Sequence, residues 1–170
     1  MFIQFLRENR YASLFLTLFR VYLGWQWLNA GWGKISSGKF DASGFLNGAI
    51  KQVSGEHPAV QPWWGNFLND VALPHVELFN VLVPWGEFLV GLALIIGVFT
   101  SFAMLMGLTM NFAYMLSGTT STNPQMVFIG MFILVAGINA GKIGLDRWLM
   151  PILRKWINNK DEKEKLPQSA

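Results

Sequence analysis

The run NVLVPWGEFLVGLALIIGVF, residues 80 to 99, is apolar for the roughly 20 residues that a helix needs to cross a lipid bilayer, and it carries a carboxylate, Glu87, near its middle. Such a run leaves few folds open. Its backbone has to be satisfied within the segment, and its acid has to find a partner inside the protein. The whole chain agrees with a membrane setting: of 170 residues, 52% are hydrophobic and only 14% charged, too apolar for a soluble domain of that length. The absence of cysteine excludes disulfide frameworks, thiolate metal sites, Fe–S clusters and thiol redox chemistry. The net charge of +3 gathers towards the C-terminus, which is a topology signal and not a nucleic-acid surface.

Four spans follow from length and apolarity, over about residues 12–32, 76–98, 101–117 and 124–140. The second and third are joined by little more than Phe99 and Thr100, which predicts a tight antiparallel hairpin, and the third and fourth by the polar turn GTTSTN. Pro124 suits the first turn of the fourth helix. The expected fold is an all-α integral membrane four-helix bundle. With both termini cytoplasmic, nine basic residues (Arg7, Arg10, Lys142, Arg147, Arg154, Lys155, Lys160, Lys163, Lys165) stand inside against Lys34, Lys39 and Lys51 outside. Residues 33–75 form a long outer loop, in which Trp64, Phe67, Leu68 and Val71 share one helical face; an interfacial helix or a lid over the outer mouth would use that pattern. About 145–157 reads as a helix on the inner membrane surface, and 158–170 as a disordered charged tail.

Each of three spans carries one polar and small-residue stripe at helical spacing. These are Arg20, Gly24, Trp27, Gly31 and Lys34 on the first, Glu77, Asn80, Pro84, Glu87 and Gly91 on the second, and Met104, Gly107, Asn111, Tyr114 and Gly118 on the third. Counted from the inner ends of the spans, Arg20, Glu87 and Asn111 fall in one layer at roughly 12–16 Å. An unpaired charge at that depth costs on the order of 3 kcal/mol, so Arg20 is expected to pair with Glu87 at the bottom of a polar pocket open to the outside. The pair serves either as a functional site or as a device that fixes helix assembly.

The stretches RVYLGWQWLNAGWGK, WGEFLVGLALIIGVFT, NFAYMLSGTTSTNP and AGINAGKIGLDRWL together resemble the DoxX family of small four-helix membrane proteins, and within it the DoxD branch, the membrane subunit of thiosulfate:quinone oxidoreductase. The resemblance implies a multi-pass protein of a bacterial or archaeal cell membrane and an oxidoreductase role with a quinone as co-substrate. For a small anionic sulfur compound such as thiosulfate, Arg20 with Lys34 above it would supply the cationic donors. For a quinone, Tyr114, Trp27 and Asn111 would donate and Glu87 relay protons, with Asn80 and Glu77 along the path to the rim. The chain offers no haem or metal site: its two histidines, His57 and His75, lie outside the span centres. Membrane lipid is a partner, a second protein subunit or a homodimer is open, and nucleic acid is not expected. A non-catalytic anchor or assembly subunit for a soluble redox partner is the rival reading.

Overall fold

The computed structural model of the chain describes residues 1–165, with side chains through 158. Among the described residues there are nine α-helices and no strand. Helix α1 (Phe2–Glu8) leads into α2 (Arg10–Ser37); α3 (Ser43–Lys51) and α4 (Pro62–Phe67) follow, and α4 runs on into a π-helical turn (Leu68–Ala72). Then come α5 (Val76–Ile96), α6 (Thr100–Leu116), α7 (Asn123–Ala136), α8 (Ile138–Gly141) and α9 (Asp146–Lys165). Of these, α5 is long and apolar enough to cross a membrane, and α6 and α7 are shorter apolar helices.

Helix α2 packs on α5, α5 on α6, α6 on α7, and α7 back on α2. The shared core is built from Leu16, Leu23, Trp27, Leu94, Met104 and Ile133, among others. Because α3, α4 and the π-turn all sit at the end where α2 stops and α5 starts, that end is called the cap side, and the end carrying α1, α8 and α9 the tail side. The cap has a small core of its own, with Leu46, Val60, Leu68 and Ala72 at its centre.

Local chemistry sets the boundaries. Asn9 caps α2 by accepting from the amides of Tyr11 (2.7 Å) and Ala12 (3.3 Å), and Gly38 ends it in the left-handed region at φ 62°. Helix α2 therefore outruns its expected span of 12–32 at both ends, and Lys34 lies in its last turn, not in a loop. Gly97, at φ 73°, stops α5, and the tight connection to α6 includes Phe99 at φ 47°. Pro124 stands in the first turn of α7 as its missing amide predicts. The expected outer loop is largely helical, because α3 buries Leu46 and Ala49 against the π-turn on one face. The expected surface helix carries on past 157 to Lys165, in keeping with the strong helix propensity of Glu and Lys. The remainder of the expected tail, residues 166–170, lies outside the described residues.

The closest contact is between α2 and α5, which cross where neither side presents a Cβ. A methyl built on Gly31 would strike the backbone of Pro84 and Phe88, and one on Gly91 the backbone of Leu28 and Gly24. By contrast, Gly33 faces open space. Gly31→Val should therefore destabilise the protein by about 1–3 kcal/mol, the usual cost of overpacking, whereas Gly33→Ala should be neutral or stabilise by up to about 1 kcal/mol through helix propensity. Thermal melts followed by circular dichroism in one detergent separate the two; equal melting temperatures would mean that α2 and α5 do not meet as described.

Candidate functional site

The helix register fixed by the glycines decides which charges meet. Gly31 lies beside Pro84 and Phe88, and Gly24 beside Gly91 and Ile95, so Lys34 falls near the cap-side half of α5 and Arg20 near its tail-side end. Side chains lean towards the N-terminus of their own helix. On α2 that direction is towards the tail side and on antiparallel α5 towards the cap side, so Lys34 and Glu87 lean into each other. Lys34 Nζ is 2.5 Å from Glu87 Oε2. The other oxygen, Oε1, accepts from the Tyr114 hydroxyl at 2.7 Å.

Glu87 is thus a buried carboxylate, 2% exposed, with one donor from α2 and one from α6. Lys34 reaches it while its ammonium also lies 5.7 Å from the centre of the Phe40 ring. Tyr114 is wedged edge-on to Phe45 (centroids 6.0 Å apart) and tilted against Trp27 (6.5 Å).

These three polar groups line one cavity of about 510 Å³, within the range of small-molecule sites. Its other walls are almost wholly apolar. Phe45 and Leu46 of α3, Trp64 and Phe67 of α4 and Leu68 of the π-turn roof it from the cap side. Two tethers hold that roof. The Trp64 indole donates to Ser117 Oγ of α6 at 2.9 Å, and Asn80 Oδ1 of α5 accepts from the Ala42 amide just before α3 at 2.7 Å. The turn into α3 is further fixed by Asp41, whose carboxylate accepts from the hydroxyl (2.6 Å) and the amide (2.9 Å) of Ser43; the hydroxyl bond, then the amide bond, hold it below the usual carboxylate range. Between α5 and α6 the cavity is lined by Leu82 and Thr109, both of which also face outward. The chamber therefore reaches close to the surface of the bundle beside these two residues.

Arg20 is not part of this site. The expected Arg20–Glu87 pair is replaced by Lys34–Glu87, because Arg20 is level with Gly97, ten residues or roughly 15 Å of helix from Glu87, and leans the opposite way. The Arg20 guanidinium instead donates from Nη2 to the Ile143 carbonyl at 2.7 Å and packs on Gly97 and Gly144. Asp146 completes that tail-side cluster: its carboxylate accepts from the amides of Phe99 (2.7 Å) and Thr100 (2.8 Å), capping α6 from 46 residues away in sequence. Asn111 and Trp27 are buried beneath Tyr114 and outside the cavity lining, and the Asn111 amide and the Trp27 indole N–H have no hydrogen-bond partner among the described residues. Glu77 is exposed at the cap-side rim.

Of the eight site residues expected from sequence, then, Lys34, Glu87 and Tyr114 converge; Asn80 ties down the roof; Trp27 and Asn111 lie in the layer below; Glu77 and Arg20 stand apart. The roof residues Phe40, Phe45 and Leu46 had no signal beyond aromatic content in a segment read as loop, whereas the spacing of Trp64, Phe67 and Leu68 did announce one helical face.

Comparison with protein families finds a match to the model described as TQO small subunit DoxD, over residues 15–164. Neither the curated proteins nor the solved structures give a match.

Removing one partner of a buried ion pair leaves the other charge stranded, at a cost of about 3–5 kcal/mol, whereas replacing both can be nearly neutral. Lys34→Met should therefore lower the thermal midpoint sharply, and adding Glu87→Gln should recover most of the loss. Lys34→Met with Arg20 intact is the informative case: a midpoint unchanged from the parent protein would show that Glu87 has another cation.

Proposed function

Because the chain belongs to the DoxD family, the small subunit of thiosulfate:quinone oxidoreductase, we propose that it serves the quinone half of that reaction, binding the quinone ring in the chamber over Glu87, Lys34 and Tyr114. Helices α2, α5, α6 and α7 with α8 cross the membrane of a bacterial or archaeal cell as a multi-pass four-helix bundle. Large apolar side chains such as Phe15, Trp25, Leu78, Leu89, Phe112 and Phe128 point away from the core, as lipid-facing residues do. The tail side, with Arg7, Lys142, Arg147, Arg154 and Lys155, is cytoplasmic by the positive-inside rule, and the cap side faces out.

The observation that carries the reading is a carboxylate with two hydrogen-bond donors at the floor of an apolar, aromatic-roofed chamber whose lining includes the exposed Leu82 and Thr109. A quinone has a flat apolar ring, two carbonyl acceptors and a home in the bilayer. The ring stacks between the roof and the floor; Lys34 Nζ keeps N–H groups to spare for a carbonyl oxygen, and the Tyr114 hydroxyl donates to one by turning its single proton away from Glu87. Reduction to the quinol takes two electrons and two protons. The electrons come from the thiosulfate half; Lys34 and Tyr114 each give up one proton to the reduced ring, and water at the part-exposed Lys34 supplies the two protons that Glu87, hydrogen-bonded to both donors, hands back to them. The quinone enters and its product leaves within the membrane beside Leu82 and Thr109.

The same chamber is a poor place for thiosulfate. The one cation in it is already neutralised by Glu87, and a dianion would lose its hydration against Phe45, Phe67 and Leu68 without a free guanidinium to replace it. Arg20, the fork expected to hold that anion, is engaged on the tail side with Ile143. The thiosulfate half belongs on the aqueous side of the roof, where a partner subunit presents it and passes in electrons alone.

In lipid nanodiscs, short-chain quinone binding is read by tryptophan quenching, and reduction by absorbance with thiosulfate and the native partner present. Tyr114→Phe should weaken quinone binding about tenfold, the value of one hydrogen bond near 1.4 kcal/mol. Glu87→Gln should retain binding and lose at least about a hundredfold in reduction rate. Unchanged quinone affinity in Tyr114→Phe together with an unchanged rate in Glu87→Gln would remove the chamber from the reaction and favour an anchoring role for this chain.

A further inference from the structure

A second site lies on the tail side, where α1, α8 and α9 enclose a cleft of about 440 Å³ whose charged lining is Arg7, Glu8, Lys142, Asp146, Arg147 and Arg154. We propose that this cleft holds the phosphate headgroup of an anionic membrane phospholipid. None of these residues lines the quinone chamber, and the inference does not depend on that chamber's role.

Charge comes first. Four cations face two carboxylates, and one of the two is taken up inside the fold: Asp146 is 3% exposed and accepts from the first amides of α6. The other, Glu8, accepts from Gln4 Nε2 at 3.2 Å and makes no ion pair among the described residues, so four cations against that one acid leave the cleft with an excess of positive charge. Arg7 is fixed in place by its own backbone contact, Nε donating to the Val135 carbonyl at 2.9 Å, and among the described residues its two terminal nitrogens have no other partner. A guanidinium held in that way offers its remaining donors to one tetrahedral anion at a defined place.

Depth comes second. Helix α9 sets Trp148, Ile152 and Trp156 one turn apart, and they are 62%, 65% and 65% exposed. Three large apolar side chains in a row facing outward, two of them tryptophan, are the mark of a helix lying at the boundary between headgroups and acyl chains. Arg147 and Arg154, a heptad apart on the same helix, flank that stripe and line the cleft. The cleft therefore opens at headgroup level, with apolar surface beside it for the acyl chains of the same molecule. A basic pocket beside membrane helices at this level selects an anionic headgroup over a zwitterionic one. A soluble phosphate would use the charges and leave the stripe unused.

The experiment uses the full chain, delipidated in detergent and titrated with phosphatidylglycerol or phosphatidylcholine, with retained lipid counted by native mass spectrometry. The parent protein should retain phosphatidylglycerol over phosphatidylcholine, and Arg147→Gln with Arg154→Gln should reduce that preference by about fivefold per arginine. Lys155→Gln, one residue outside the cleft, should leave it intact. Raising the salt should erode the preference in the parent protein, a reading that needs no variant to fold. Equal retention of the two lipids by the parent protein, or a preference that survives the double substitution, overturns the proposal. Displacement of phosphatidylglycerol by inorganic phosphate at equal concentration also overturns it, in favour of a soluble anion; failure of any of these leaves the quinone reading as it was.

Discussion

Helices α2 and α5 touch backbone to backbone, and the placing of Lys34 on Glu87 and of Arg20 beside Gly97 is downstream of that approach. In lipid, where apolar side chains gain nothing by leaving a hydrocarbon solvent, close packing and polar contacts hold helices together, so small residues at the crossing matter most. Gly24, Gly31 and Gly91 remove the side chains that would keep the two backbones apart. Once they are in contact, the register is no longer adjustable: a shift of one turn would drive the Leu28 and Phe88 backbones against a side chain. That register brings Lys34 to Glu87 and carries Arg20 past it to Gly97.

The consequence is a division of the polar residues between two ends. At the cap side Glu87, Lys34 and Tyr114 satisfy one another beneath an apolar chamber, and at the tail side Arg20, Ile143 and Asp146 tie α2, α6 and the start of α9 together. A pair of opposite charges in a low-dielectric setting is stable only when its remaining hydrogen-bonding capacity is also met, and Tyr114 supplies that for Glu87. The residue that completes the ion pair is thus also the one best placed to touch a ligand. Any change at Tyr114 alters the hydrogen bonding of Glu87 directly, as the proposed relay requires.

The stripes that sequence shows are real faces of real helices: Arg20, Gly24, Trp27 and Gly31 are all buried on α2, as are Pro84, Glu87 and Gly91 on α5. The pairing of those faces was harder to read, for two physical reasons. Apolar boundaries misplace depth in this chain, because α2 begins before and ends after its apolar run and takes Lys34 into its last turn. Residue spacing also carries no direction, whereas antiparallel helices lean their side chains opposite ways and join a lysine and a glutamate whose Cα atoms are not level. Helix α3 escaped notice because nine residues with only Leu46 and Ala49 buried leave little periodicity, and its position depends on Asn80, far away in sequence. Asp146 as the cap of α6 is invisible for the same reason.

The tail-side cluster also bears on how a ligand moves. A carrier cycle would require the molecule to open there, which would strip the buried Arg20 of the Ile143 carbonyl and α6 of the carboxylate at its first turn. Stranding a buried charge in this way costs on the order of 3 kcal/mol, before any loss of packing at Gly97 and Gly144. On the cap side the cavity already lies against the surface, since Leu82 and Thr109 both line it and are exposed. A ligand of the chamber therefore leaves by the side it entered. One-sided access of this kind agrees with the proposed role, in which a reactant arrives from the bilayer and returns to it, better than with passage from one compartment to the other.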